Sequence, residues 1–353
     1  MIRESIQTLI DGANLPFEEA QSIMREVMSG NATNAQIAAF LAALRMKGET
    51  VEELIAFATV MREHCRRIHP SVQGRLVDTC GTGGDKIKTF NISTAAAFVV
   101  AGSGIALAKH GNRSVTSKSG SADVLERLGL NLKMEPETVQ VTIEKVGVGF
   151  MFAPAFHPAM KYAIQPRREI GIRTVFNVLG PLTNPASANA QLLGVYDKQL
   201  TAPLAYALSK LGCEEAMVVH GLDGLDEVST VGKTAIAWLK QGDVVTIETS
   251  PNDFGVKKAR ISDIKGTNPE ESAEILFQIL TGQCPFNDPK TEIVLVNSAA
   301  GIIVGGKAED FSYGMELARE SIESGAAYKK LKALIPASGG DLSKLEELES
   351  RYG

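Results

Sequence analysis

The run Asp78-Thr-Cys-Gly-Thr-Gly-Gly-Asp-Lys-Ile-Lys-Thr-Phe-Asn-Ile-Ser-Thr94 decides how this chain is read. It follows the apolar, strand-like Leu76 and Val77 and leads into an apolar helical segment, Ala95 to Ala101. A glycine-rich turn between strand and helix lets backbone N–H groups converge on an anion, and the helix N-terminus adds its positive dipole end. Gly81, Gly83 and Gly84 permit close backbone approach and positive φ. The main chain from Gly81 to Asp85 and at Ile92, with the polar side chains of Thr89, Asn91, Ser93 and Thr94, completes a cradle for phosphate or diphosphate.

The common phosphate motifs do not account for it. A P-loop requires Gly-x-x-x-x-Gly-Lys-Ser/Thr, which this loop lacks. Gly232-Lys233-Thr234 imitates only the tail of that motif, with Glu227 where its first glycine belongs. Gly102-Ser-Gly104 begins like a dinucleotide fingerprint but has Leu107 at the third glycine position. An ordinary strand-to-helix turn would explain a lone glycine pair, but not several glycines followed by a polar helix start.

A second block, Lys109-His-Gly-Asn-Arg-Ser-Val-Thr-Ser-Lys-Ser-Gly-Ser-Ala-Asp123, follows the strand-like Ile105 to Ala108 and precedes a helix over 121–128. Lys109, Arg113 and Lys118 are cations suited to phosphate. Ser114, Thr116, Ser117, Ser119 and Ser121 supply hydroxyl donors. Taken alone, such a loop reads as a solvated surface. Two of them at successive strand ends point to a ligand, because open α/β sheets bind ligands outside the carboxyl ends of their strands. Lys109 is taken as an exposed, protonated phosphate ligand.

The 353 residues are 44% hydrophobic, enough for one large or two modest cores. A net charge of −5 argues against a general nucleic-acid binder, and no apolar run suits a membrane span. The amino terminus shows no signal-peptide pattern. Cys65, Cys80, Cys213 and Cys284 are widely spaced, which predicts reduced thiols in a cytoplasmic protein, and the scattered histidines suggest no zinc site.

Residues 1–70 read as a helical domain. Thr50-Val-Glu-Glu53 is a capping box before Leu54, Ala58, Met61 and Cys65 at helical spacing, and Ile37, Phe40, Leu41 and Leu44 form a second stripe. Residues 71–353 read as an α/β domain with a mainly parallel sheet: strands 76–78, 105–109, 148–152, 191–196 and 216–220 alternate with helices 92–102, 121–128, 136–146 and 201–211. Residues 235–240 and 244–248 form a hairpin around Gly242. Helices over 269–281, 290–304, 308–333 and 341–351 close the chain, and 157–176 reads as one polar helix.

Asp223-Gly-Leu-Asp226-Glu227 follows the strand ending at His220. Adjacent Asp226 and Glu227 can hold a hard cation such as Mg²⁺, which bridges carboxylates to substrate phosphates. Alone, the pair would read as a solvated acidic turn; two phosphate-type loops that need charge neutralisation favour the metal. Arg167 or Arg168 can clamp a carboxylate through the guanidinium fork.

Four motifs in order resemble the anthranilate phosphoribosyltransferase family: the two loops quoted above, Asn177-Val-Leu-Gly-Pro-Leu-Thr-Asn-Pro185, and His220-Gly-Leu-Asp-Gly-Leu-Asp-Glu-Val-Ser229. Lys86 departs from the pattern, where a glycine is expected. The resemblance implies a small helical domain, to which about 157–180 returns, joined to an α/β domain like that of nucleoside phosphorylases, and a homodimer formed through the helical part. It implies transfer of a phosphoribosyl group from 5-phosphoribosyl diphosphate to anthranilate in tryptophan biosynthesis, with Mg²⁺ held by Asp226, Glu227 and Ser93. It places the diphosphate substrate on Gly81, Gly84, Asp85, Thr89, Asn91 to Thr94, Lys109 to Ser117 (with His110, Gly111, Asn112, Arg113, Ser114, Val115 and Thr116 between) and Ser121. It assigns anthranilate to Gly81, Asn112 and Arg167. No residue is assigned acid–base work; Lys109 and Asn112 position and stabilise. A pyrimidine nucleoside phosphorylase would lack the acidic pair, and a non-catalytic nucleic-acid-binding relative would be more basic and would have lost it.

Overall fold

The computed structural model describes every residue except Asp85, Lys86, residues 115–118, Thr267 and Gly353. Four helices come first: α1 (Ile2–Ile10), α2 (Phe17–Met28), α3 (Asn34–Lys47) and α4 (Val51–Glu63). The capping box at the start of α4 is present: Glu53 N–H donates to Thr50 Oγ1 at 3.1 Å, and Thr50 N–H donates to Glu53 Oε2 at 2.8 Å. Thr33 and Gln36 make a matching box at α3, a Thr-x-x-Gln signal the sequence reading passed over.

The chain then alternates: β1 (Leu76–Gly81), α5 (Ile92–Gly102), β2 (Ala106–Gly111), α6 (Ser121–Arg127), α7 (Pro136–Val146) and β3 (Val148–Phe152). An excursion follows through α8 (Ala153–Phe156), α9 (Lys161–Ile170) and α10 (Phe176–Leu182). Then come β4 (Ala190–Gly194), α11 (Thr201–Lys210), β5 (Glu215–Gly221), β6 (Thr234–Lys240) and β7 (Asp243–Thr249). Helices α12 (Pro269–Leu280), α13 (Pro289–Val304), α14 (Phe311–Glu323), α15 (Ala326–Ala337) and α16 (Ser343–Tyr352) finish the chain.

Among the described residues seven strands form one sheet in the order β3-β2-β1-β4-β5-β6-β7. The pairs from β3 through β5 are parallel, and β6 and β7 join antiparallel. The β6–β7 hairpin turns at Gln241 and Gly242, both with positive φ, as the sequence predicts for a tight hairpin. The chain moves outward from β1 through β2 and β3, then returns to pair β4 with the other side of β1. The gap beyond the carboxyl ends of β1 and β4 is therefore the switch point where ligands bind.

Two apolar clusters form. One gathers β1 to β3 and one face of β4 to β6 with α5, α7, α13 and α15; Ala97 to Ala101 and most of α13 are buried within it. The other joins α1 to α4 with Ala163, Val175, Phe176, Val178 and Leu179, so the 161–182 segment packs on the helical part.

Two expected helices are broken. The 157–176 stretch splits because Gly171 ends α9 in the left-handed conformation (φ 63°). The 308–333 stretch splits because Gly325 does the same after α14 (φ 68°). Each glycine is the permissive residue that lets a helix stop and turn.

Candidate active site

Gly81 closes β1, and the glycine-rich loop follows it into the switch point. Gly83 and Gly84 have φ of 67° and 88°, which only glycine adopts without strain. Asn91 stands at the start of α5; its side chain pairs with Ser119, whose hydroxyl donates to Asn91 Oδ1 at 2.9 Å. The two polar loops are thus joined side by side. Thr89 pairs with Lys265 in a short bridge. Ile92 and Thr94 are buried, and the Thr94 hydroxyl has no hydrogen-bond partner among the described residues. Asp85, Val115, Thr116 and Ser117 lie outside the described residues.

Lys109 is not exposed, contrary to the sequence reading. It lies on β2, which is flanked by β1 and β3, and it is 4% exposed. Its ammonium donates to the Thr79 carbonyl and, at 3.4 Å, to Ser93 Oγ. Burial lowers its pKa, while Asp78 and, more weakly, Glu227 act to raise it. Asp78 is fully buried and accepts from the His110 N–H at 3.2 Å and from Asn184 Nδ2 at 2.8 Å. Asn184 also donates to the Ala108 carbonyl, so β1, β2 and the Gly-Pro-Leu-Thr-Asn-Pro segment share one buried polar node.

In the second loop, Asn112 Oδ1 accepts from the Arg113 N–H, and Ser121 Oγ donates to the Asn112 carbonyl at 3.4 Å. Gly111 leaves no room for a side chain: a Cβ there would stand 2.3 Å from Ser121 Oγ. The Arg113 guanidinium does not face the cradle as a free cation. It binds Glu126 through both nitrogens and also Asp123. Asp123 in turn accepts from the Ser114 and Gly120 N–H groups. Arg113 therefore folds this loop onto α6.

Asp226 and Glu227 sit on a loop pinned on both sides. Asp223 accepts from Ser229 Oγ at 2.5 Å and from the Leu225 N–H at 3.2 Å. Asn297 of α13 exchanges two hydrogen bonds with the Val228 backbone. The loop crosses both switch-point strands closely. A Cβ on Gly194 would lie 1.6 Å from the Asp226 carbonyl, and one on Gly81 would lie 2.9 Å from Asp226 Oδ2. These glycines let the Asp226 carboxylate reach the glycine-rich loop, while Glu227 lies within electrostatic reach of Lys109. Carboxylates and a hydroxyl such as those of Asp226, Glu227 and Ser93 are the hard oxygen donors that Mg²⁺ prefers. They fall short of the six ligands that ion takes, so water and phosphate oxygens would complete the set. A cleft of about 330 Å³ flanks the loop, lined by Tyr196, His220 and Asp223 among others.

Arg167 is half-buried in α9, with its guanidinium 5.2 Å from the Phe176 ring centre; Arg168 is exposed. Among the described residues Arg167 forms no ion pair, and burial lowers its pKa.

His157 was missed in the sequence. Its ring centre lies 5.0 Å from that of His110. Each ring is hydrogen-bonded to the 180–183 backbone, and each leaves Nε2 without a partner among the described residues. Burial pushes His110 down to about 3, helped by His157, and pushes His157 down to about 4. Below pH 6.5 the unfolded chain therefore binds protons that the native state refuses, so stability falls as pH drops toward 4. Asp78, pushed up to about 6 by burial, works the other way between its usual value and 6. Two imidazoles oppose this one carboxylate. Urea unfolding should show a less stable protein at pH 5 than at pH 7, and His157→Asn should shrink that difference. An equal difference in the variant would refute the assignment.

The fold and site define a glycosyl transferase with a helical bundle and an α/β domain. The helical-bundle family model matches residues 3–65, and the a/b-domain model of the same family matches 73–328. The chain belongs to the anthranilate phosphoribosyltransferase family. It is 51% identical to the enzyme of that name from Desulfosudis oleivorans, over 95% of this chain and 98% of the relative. It is 50% identical to that from Methanocorpusculum labreanum, over 96% and 99%. The Thermus thermophilus crystal structure superposes with a TM-score of 0.88 at 40% identity, covering 94% of this chain and 98% of that one. The Saccharomyces cerevisiae enzyme, in complex with PRPP and Mg, gives 0.88 at 31%, covering 96% and 98%.

Proposed function

We propose that this chain transfers the phosphoribosyl group of 5-phosphoribosyl diphosphate to the amino nitrogen of anthranilate. The ribose C1–O bond to diphosphate breaks, the N–C1 bond forms, pyrophosphate leaves, and the amine proton passes to solvent or to the departing pyrophosphate. The observation that carries this reading is the convergence at the β1–β4 switch point of the left-handed Gly83–Gly84 loop, buried Lys109 and the pinned Asp226–Glu227 pair.

An aromatic amine is already a nucleophile, so catalysis rests on positioning and on stabilising charge in the leaving group. The 81–85 backbone, Asn91, Ser93 and Thr94 hold the diphosphate, and Lys109 presents its amine beneath it, with Asp78 and Glu227 favouring the ammonium against the effect of burial. Arg113 acts through the fold of its loop. Asp226, Glu227 and Ser93 are the residues that would hold Mg²⁺, which when bound neutralises phosphate charge. Neither rival reading gains support, since the relatives and solved structures above carry the phosphoribosyltransferase name.

Arg167 and Asn112 are assigned to anthranilate. A half-buried guanidinium with no ion-pair partner among the described residues suits the ortho carboxylate, whereas Arg168 faces solvent. Losing a charged hydrogen-bond pair costs about 1.5–3 kcal/mol, roughly one to two decades in affinity. Arg167→Ala should raise KM for anthranilate by that factor and leave KM for phosphoribosyl diphosphate nearly unchanged; Arg168→Ala should do little. Steady-state kinetics decide, and a mild Arg167→Ala beside a damaging Arg168→Ala would reverse the choice.

The same reading makes the protein a cytoplasmic enzyme of tryptophan biosynthesis, in keeping with four free thiols. Among the described residues no helix is long and apolar enough to cross a membrane. It also makes the protein a homodimer through α1, α3 and α9, which leave Ile10, Met46 and Ile164 exposed.

A further inference from the structure

Arg173 holds none of the roles above. It sits in the 171–175 link between α9, which carries Arg167, and α10. Its Nη2 donates to the Gly84 carbonyl at 3.0 Å, and its guanidinium carbon lies 4.2 Å from the Tyr196 ring centre. Tyr196 lies two residues beyond β4, and its N–H donates to Thr82 Oγ1 at 3.1 Å. The Thr82 N–H donates to the Gly194 carbonyl at 2.9 Å. Arg173, Gly84, Thr82 and Tyr196 thus close a ring across the switch point. Gly84 fits it on two counts: its φ is 88°, and a Cβ would stand 2.1 Å from Arg173 Nη2.

A loop with two successive left-handed glycines has many conformations to lose when it closes on a ligand. A planar guanidinium that bonds a loop carbonyl while lying against an aromatic ring removes part of that freedom beforehand. Pre-ordering of this kind appears as tighter binding.

We propose that Arg173 is a positioning residue: it clasps the glycine-rich loop against Tyr196 and so ties the diphosphate cradle to the segment that carries the acceptor-side arginine. The proposal rests on the reading of that loop as the diphosphate cradle.

The test is calorimetry of 5-phosphoribosyl diphosphate with Mg²⁺, together with steady-state kinetics, on Arg173→Ala, Arg173→Lys, Tyr196→Leu and the Ala/Leu double variant. Arg173→Ala should weaken diphosphate-substrate binding about tenfold, the loss of one charged hydrogen bond with its ring contact. KM for anthranilate at saturating co-substrate should move less than about twofold, and the melting temperature should hold, since Arg173 forms no ion pair among the described residues. Arg173→Lys keeps a donor and a charge and should regain most of the affinity. The double variant should be no worse than Arg173→Ala, because the ring contact is shared. Parental affinity in Arg173→Ala, independent losses in the double variant, or both KM values rising with a lower melting temperature would overturn the clasp. A parent protein that does not bind 5-phosphoribosyl diphosphate would instead overturn the functional reading, and the clasp with it.

Discussion

Changing Asp226 and Glu227 together to alanine should lower kcat/KM by at least roughly 10³-fold, since one misplaced charge-stabilising donor already costs about 10²–10³. The pinned loop explains why the carboxylates themselves would be lost rather than the fold. Asp223 and Asn297 fix the loop on either side, and neither is touched by the change. The double variant should therefore keep a melting curve close to that of the parent. It should also lose the dependence of 5-phosphoribosyl diphosphate binding on Mg²⁺. Near-parental turnover of the variant at limiting Mg²⁺ would end the metal assignment.

Lys109→Met is expected to be damaging by a different route. Turnover should fall about 10²–10³-fold through loss of a preorganised donor at the leaving group. Stability should fall as well, by about 3–5 kcal/mol, because Asp78 is left buried without its counter-charge. The two effects separate in the Lys109→Met/Asp78→Asn variant. With no ion left unpaired, the double variant should recover part of the lost stability and none of the activity. Urea denaturation and initial rates measure both. Recovery of activity along with stability would make Lys109 a structural residue only.

Much of this molecule can be read from its residues. The polar blocks at Gly81 and Lys109 stand out because phosphate recognition concentrates glycine, hydroxyl and cation immediately after a strand, and the structure puts them side by side through Asn91 and Ser119. The capping box at Thr50 and the hairpin at Gly242 are local signals and appear where expected. What could not be read depends on contacts distant in the chain. Burial of Lys109 follows from strand order: β2 is flanked on both sides and Asp78 lies on its neighbour, which a run of polar residues does not reveal. Arg113 looked like a phosphate ligand because Glu126, its partner, belongs to the next helix. Arg173 and Tyr196 meet only because the 161–182 segment leaves the sheet and packs on the helical part before the chain re-enters at β4. The breaks at Gly171 and Gly325 did carry a local signal, a glycine at a helix end, which the longer helical reading masked.

The most direct test of the central claim is the decay of anthranilate fluorescence when the purified protein is mixed with 5-phosphoribosyl diphosphate and Mg²⁺. The account predicts a decay that requires all three, stops on chelation of the metal, and releases one pyrophosphate for each anthranilate consumed. Stable fluorescence under these conditions, or phosphate-dependent cleavage of a pyrimidine nucleoside in its place, would contradict it.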